Sequence, residues 1–458
     1  MLRASRAIRV VLLLGSLSCS KSESNSASDT SKTSTAAAAT TAACAADNGG
    51  ITLPAGFCAV VFADTLGHVR HIAVNSNGDV YVNTWSGDYY QGPTHPGGFL
   101  VALRDTNNDG KADVVRRFGP DVRQRNGGGT GIGFYKNALY VEEGDSVSKR
   151  IVRYAVATDS MTPTSAAEVI VDRLPATPDH PMHPFVIDGS GNIFMDVGSA
   201  SNSCQAQNRT LNSPGRKGCP ELTTRAGIWR YDANKTNQRF SPAERYATGI
   251  RNAVGIALDG GGQLYSTQHG RDQLYENWTK LYTSEQGQNL PAEELLRIEQ
   301  GGDYGWPYCY FDNQQGKLVL APEYGGDGGK AVGDCASKKP PAAFFPAHWA
   351  PDGLTFYTGS MFPDHYRNGA FVAFHGSWNR APGPQGGYNV SFVPFSGNNP
   401  VDAAKYEIFA DGFAGATKQP DRAAHRPTGL VQGPDGALYI TDDKGGRIWK
   451  VVYRGNAK

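Results

Sequence analysis

Gly429-Leu-Val-Gln-Gly-Pro-Asp-Gly-Ala-Leu-Tyr-Ile440 reads as an apolar strand, a turn built on Asp435 and Gly436, and a second strand rich in β-branched and aromatic residues. The turn residues supply the positive φ of a tight hairpin, and the alternating apolar positions give it a face to bury. The same phrase occurs as His71–Val82, Gly131–Val141, Pro184–Met195 and Gly255–Ser266, and more loosely as Gly353–Phe374. One such hairpin cannot bury its face alone. Copies must stack, and radial stacking gives a β-propeller with protected edges. Six copies therefore predict an all-β fold, a six-bladed β-propeller. Their spacing is uneven and exceeds the roughly 40–50 residues of standard blade repeats, so long inter-blade insertions are implied. The main ones are Ser201–Arg225 and Asp272–Ala350. Helix is expected only in such insertions, for instance at Pro291–Glu299, where Glu293 and Glu294 follow Pro291 as in a first turn.

Composition agrees with this reading. The 458-residue chain holds 56 glycines with 39% hydrophobic residues, which favours short strands and tight turns over helix bundles. A formal net charge of +1 gives no reason to expect a nucleic-acid partner. Arg3, Arg6 and Arg9 precede the apolar run Val10–Leu14 and small residues ending at Cys19, the layout of a secretory signal too short to span a membrane. Ser16-Leu-Ser-Cys19 resembles a bacterial lipoprotein cleavage box, which makes lipidated Cys19 the expected membrane contact. Residues 20–46 read as a flexible Ser/Thr/Ala-rich tether, and 47–458 as the propeller. An exported protein, periplasmic or anchored at the outer membrane, is expected. Six further cysteines suit that compartment. Of 15 connectivities, the neighbour pairs Cys44–Cys58, Cys204–Cys219 and Cys309–Cys335 are the natural choice, each pinning a short loop.

Chemistry concentrates between Thr248 and Pro307. Arg251-Asn252 precedes one repeat, His269-Gly270-Arg271 follows its second strand, and Gly301-Gly-Asp-Tyr-Gly-Trp-Pro307 closes the region. A fixed cation, an amide and a glycine with sterically open carbonyls form a cradle for an anionic ligand with a hard metal. Separately, Asp105, Asn107, Asp109 and Asp113 around Gly110 resemble a structural calcium loop lacking the distal Glu of an EF-hand, with an Asx-rich hairpin turn as the alternative.

These motifs, in this order along Leu53–Tyr453, resemble the soluble pyrroloquinoline quinone (PQQ) sugar dehydrogenases. His180-Pro-Met-His-Pro-Phe185 and Phe374-His-Gly-Ser-Trp-Asn-Arg380 are most similar to the sorbosone dehydrogenase branch. The resemblance implies oxidation of an aldose or sugar aldehyde by hydride transfer to PQQ. Electrons then pass to a separate acceptor, a cytochrome or a quinone; no Cys-x-x-Cys-His haem motif occurs in the chain. It further implies cofactor contacts from Arg251, Asn252, Arg271, Arg380 and Arg426, and calcium on the backbone carbonyls of Gly270 and Arg271. Arg271 stands where the family has proline, and Thr358 where it has a lysine.

By the same resemblance His180 is the expected base, with His183 the alternative and Asp196 the candidate that orients the imidazole, because Ser199 occupies the family's aspartate position. His375, Trp378 and Asn379 are candidates for the sugar side, with Trp85 and the Gly127–Thr130 loop at the same mouth. Two other classes stay open at this point. One is a calcium-dependent propeller lactonase with a metal held by side chains; the other is a non-catalytic ligand-binding propeller.

Overall fold

The computed structural model describes residues 44–84, 97–121, 128–144, 148–157, 159–176, 178–380 and 382–455. The signal, Cys19, most of the tether, Trp85 and Gly127 lie outside them. No helix among the described residues is long and apolar enough to cross a membrane.

Each repeat forms the first hairpin of an antiparallel blade. Blade 1 comprises Val69–Val74, Val80–Thr84, Leu100–Arg104 and Val114–Phe118; blade 2 comprises Ile132–Tyr135, Ala138–Gly144, Ser148–Ala155 and Glu168–Pro175, with Gln238–Arg239 added in parallel at its edge. Blade 3 is Phe185–Ile187, Asn192–Val197, Gly227–Asp232 and Arg245–Thr248, and blade 4 is Ile256–Leu258, Leu264–Gln268, Glu293–Arg297 and Ala343–Phe345. Blade 5 is Pro351–Phe356, Ala370–Phe374, Asn389–Val393 and Glu407–Ala410. Blade 6 takes Pro427–Gln432, Leu438–Asp442 and Ile448–Tyr453 from the end of the chain, and its outer strand Phe57–Ala63 from the beginning, pairing Phe57 with Tyr453 and Val61 with Trp449. This pairing closes the ring.

The turn chemistry is the one the sequence spells. Gly78, Gly191, Gly262 and Gly436 take φ of 90°, 91°, 84° and 86° at matching turns. Asp188 and Asp259 each receive two backbone amides of their own turn. Both faces of most blade strands are apolar because each blade packs on two neighbours. Leu139 and Val141 enter the seam between blades 1 and 2, whereas Tyr140 between them enters the seam between blades 2 and 3. One buried cluster fills each of the six seams. Toward the axis the first strands approach so closely that a β-carbon at Gly353 would lie 2.0 Å from the Thr428 carbonyl oxygen.

The helix expected at Pro291–Glu299 is a strand. Glu293–Arg297 lies between Leu264–Gln268 and Ala343–Phe345, and sheet pairing on both edges overrides the local helical signal. The supposed insertion 272–350 thus contributes two strands of blade 4. Its helices are Leu274–Asn277 and Ser284–Asn289, the latter opened by a reciprocal Thr283–Gln286 capping box. The cysteines pair as neighbours: Cys44–Cys58, Cys204–Cys219 and Cys309–Cys335.

Trp449 is fully buried in the seam between blades 5 and 6, and its Nε1 donates to the Gly49 carbonyl at 3.1 Å. Trp449→Ala is expected to cost about 3–5 kcal/mol in urea unfolding, and Trp449→Phe distinctly less, because the phenyl ring refills most of the cavity.

Candidate functional site

A cleft of about 490 Å³ opens on the face where the first strands begin. It is lined by His180 and Met182 before blade 3, Arg251 and Asn252 before blade 4, Asp352 of blade 5, Arg426 before blade 6 and Arg70 of blade 1. Insertions add Asp179, Arg209, His269, Gly270, Asp272, His348, His375, Trp378 and Asn379.

His180 is buried at the cleft wall. Its Nδ1 lies 2.8 Å from the Ser199 carbonyl and 3.0 Å from the Ser199 hydroxyl, which itself donates to Ser201 O. A carbonyl only accepts, so Nδ1 carries the proton and Nε2 is the basic nitrogen. Burial, and next the Arg251 charge, push the imidazole pKa well below its ordinary value, so it is neutral at pH 7. The orienting group is therefore the Ser199 backbone, a correction to the expectation for Asp196. Asp196 is fully buried with neither carboxylate oxygen in good hydrogen-bond geometry, and burial raises its pKa well above the usual range, a weak contact to the Ala253 amide offsetting only part of this.

His183 is not in the cleft lining either. It is fully buried, donating its backbone N–H (3.0 Å) and Nδ1 (3.1 Å) to Glu142, which also receives the Thr130 and Gly131 amides. Burial alone would raise the Glu142 pKa; the His183 hydrogen bond and Lys149 outweigh it and lower it to about 2. His183 fastens blade 2 to blade 3 and is corrected as a base candidate.

Arg251 is present, but its five N–H groups are spent inside the protein. Nε donates to Asn202 O at 3.0 Å, Nη1 to Gly270 O at 3.0 Å and His269 O at 3.4 Å, and Nη2 to Asn202 Oδ1 and Asp272 Oδ2, both at 3.0 Å. Asn252 reaches His269 Nδ1 at 3.2 Å. The Arg271 side chain points away from the cleft to Glu323, at 2.5 Å, inside the following insertion. Arg380 also lies outside, bonded to Asn289 at 2.9 Å. Neither guanidinium lines the cleft. Arg426 does line it, holding the carbonyls of His375 (3.0 Å) and Gly376 (2.9 Å) through Nε and Nη2.

At the axis, Asp443 accepts from Arg70 (2.5 Å) and His375 (2.7 Å), and Asp352 pairs with His269 (3.1 Å) and Arg70 (3.4 Å). Burial would raise both carboxylates, yet the Arg70 charge and the hydrogen bonds from His269 and His375 hold them well below the usual range. Asp272 behaves likewise between Arg251 and Arg209, and its Oδ1 accepts from Asn379 Nδ2 at 2.8 Å. Trp378 stands 56% exposed at the mouth. Arg70, Asp179, Asn202, Arg209, Asp272, Asp352 and Asp443 were not expected from sequence; for Arg70 and Asp352 the signal was present, a charged residue at the start of a repeat strand, as with Arg251 and Arg426.

Asp105, Asn107, Asp109 and Asp113 lie apart from the cleft, in the turn joining the last two strands of blade 1. Asp105 receives the Asp109 and Gly110 amides, and Asp113 receives the amide and hydroxyl of Thr106. The loop's oxygens close the turn itself.

Removing His183 strands a buried carboxylate, whereas His180 Nδ1 meets the carbonyl and hydroxyl of Ser199, neither of them charged. His183→Asn is expected to cost about 2–3 kcal/mol in urea denaturation, and His180→Asn under about 1 kcal/mol.

Comparison with known proteins places this geometry. The chain is 28% identical over 300 residues to the pyrroloquinoline quinone-dependent pyranose dehydrogenase of Coprinopsis cinerea, covering 56% of this chain and 37% of that one. It is 31% identical over 222 residues to an uncharacterized protein of Borreliella burgdorferi, covering 47% and 51%. It thus spans about half or less of the length of these curated relatives. Among solved folds, the calcium structure of Trichoderma reesei Carbohydrate-Active Enzymes Family AA12 superposes with a TM-score of 0.68 at 18% identity, over 88% of this chain and 97% of that one. The holo form of the Coprinopsis cinerea pyranose dehydrogenase PQQ domain gives 0.66 at 20% identity, over 88% and 97%. The propeller is common to both. Matched by the family model from residue 51 to residue 454, the chain belongs to the TrAA12-like family.

Proposed function

We propose that the protein is a PQQ-dependent dehydrogenase that oxidises an aldose or sugar aldehyde and passes the electrons to a separate cytochrome or quinone. The observation that carries this is His180: a buried, neutral imidazole with its tautomer fixed by Ser199, set in a cleft lined by arginines and carboxylates. The wording at His180–Phe185 and Phe374–Arg380 supports the sorbosone dehydrogenase branch.

The donor set suits a flat polyanion. The cleft falls in the size range of small-molecule sites, and Arg426 spends Nε and one Nη on carbonyls, keeping Nη1 for a ligand carboxylate. Asn252 adds an amide beside it, and Arg251 contributes charge without a spare N–H. When bound, PQQ supplies the quinone that accepts hydride. His180 Nε2 takes the proton of a substrate hydroxyl as the hydride leaves the adjacent carbon, and the Asp272 carboxylate favours the imidazolium so formed. Calcium belongs to the same proposal. The described residues contain no cluster of three His, Cys, Asp or Glu side chains suited to a metal, so the ion would rest on carbonyls such as Gly270 O, which Arg251 fills on one side only. A lactonase would direct axial carboxylates at a metal; here Asp352 and Asp443 are spent on Arg70, His269 and His375. Export, with Cys19 as lipid anchor, completes the proposal, and three disulfides accord with it.

Dye-linked oxidation across an aldose panel, with PQQ and calcium added singly and together, tests this reading. Activity is expected only with PQQ, and His180→Ala should lower kcat by about 10²–10⁴-fold with little change in PQQ affinity measured by fluorescence titration. Failure to bind PQQ would refute it. Because the folded-state pKa of His180 is depressed, the base stays competent below pH 6.5, and the acid limb of kcat/KM is expected well under that value.

A further inference from the structure

The cleft mouth carries charge that the proton transfer does not use. Asp179 directly precedes His180, and its Oδ2 receives Arg209 Nη2 and Asn208 Nδ2, both at 3.3 Å. Among the described residues no donor takes its Oδ1, and the side chain remains 19% exposed in the cleft wall. Arg209 is carried in by the loop that Cys204–Cys219 closes, and its guanidinium is shared with Asp272 at 3.1 Å. Asp272 in turn is filled by Arg251 and Asn379. The rim therefore sets two carboxylates around one exposed guanidinium. One carboxylate oxygen stays open next to the base, with the Trp378 ring and Asn379 lining the same cleft. Deeper in, Asp352 and Asp443 offset Arg70, and Asp443 also accepts from His375.

Building on the dehydrogenase reading, we infer that Asp179 is a specificity-determining residue, whose open oxygen accepts a hydroxyl of a neutral sugar and turns away sugars that carry a carboxylate. A carboxylate accepting an O–H makes a short, charge-assisted hydrogen bond, so a hydroxyl placed there also orients the ring toward His180. A second carboxylate at the same place meets like charge, and Arg209 Nη2 is already shared between Asp179 and Asp272. An indole face beside acidic and amide acceptors suits an uncharged ring with several hydroxyls.

Matched pairs that differ only at C6 isolate this effect: D-glucose against D-glucuronate, and D-galactose against D-galacturonate. With the full chain, PQQ and calcium at constant ionic strength, kcat/KM for each uronate is expected at least about 30-fold below its neutral partner. Asp179→Asn should narrow that gap about tenfold, mainly through KM for the uronate, while Asp179→Glu restores it; melting temperatures confirm that both variants fold. Ligand-observed NMR of the same four sugars on protein without added PQQ gives an independent readout. Selective binding of the neutral sugars, relaxed in Asp179→Asn, supports the inference even if no sugar is oxidised, and the dehydrogenase reading alone then falls. Uronates bound or oxidised as well as neutral sugars, a ratio unchanged in folded Asp179→Asn, or no binding of any of the four would overturn it.

Discussion

Convergence of six first strands on one axis is the constraint from which the rest follows. At Gly353 the neighbouring carbonyl leaves no space for a β-carbon. The residues that reach the axis at the strand ends are therefore buried whatever their polarity, and buried charge must be matched. Arg70, Asp352, His375, Asp443 and His269 come from four blades and hold one another by polar contacts of 2.5–3.4 Å. That lattice is both the plug of the ring and the floor of the cleft, so stability and site geometry rest on the same side chains.

Above this floor the walls are made by insertions. Asn202 shows how closely they are knit: its carbonyl receives Arg251 Nε and Trp306 Nε1, and its side chain exchanges hydrogen bonds with the Asp272 backbone and Arg251. Arg251 thereby becomes a building element. Glu221, just beyond Cys219, fixes Ala200 and Ser201, and so the segment whose Ser199 carbonyl sets the His180 tautomer. The blades give rigidity, and the insertions fix the orientation of the His180 ring.

Local patterns in the sequence carried the six hairpins, because a turn such as Asp435-Gly436 and its flanking alternation are complete within a dozen residues. The Glu293–Arg297 strand was hidden because its partners lie in Leu264–Gln268 and Ala343–Phe345, and a pair of glutamates after proline mimics a helix start. His180 and Arg426 were legible as residues preceding a repeat. The side-chain directions of Arg380 and Arg271 were not legible, since direction at a strand end depends on the loop that follows. Asp179, Arg209 and Asp272 were invisible for a related reason: their meeting joins separate insertions, and nothing near any one of them in the chain announces the other two.

The ring closes by joining the two ends of the chain, Phe57–Ala63 against Ile448–Tyr453. A polypeptide delivered in order from its first residue presents the strand that is needed last. Phe57–Ala63 has to stay unpaired until the final strand arrives, and an open five-blade intermediate exposes both the seam around Trp449 and an unpaired edge. Productive folding of this architecture is accordingly a whole-chain event.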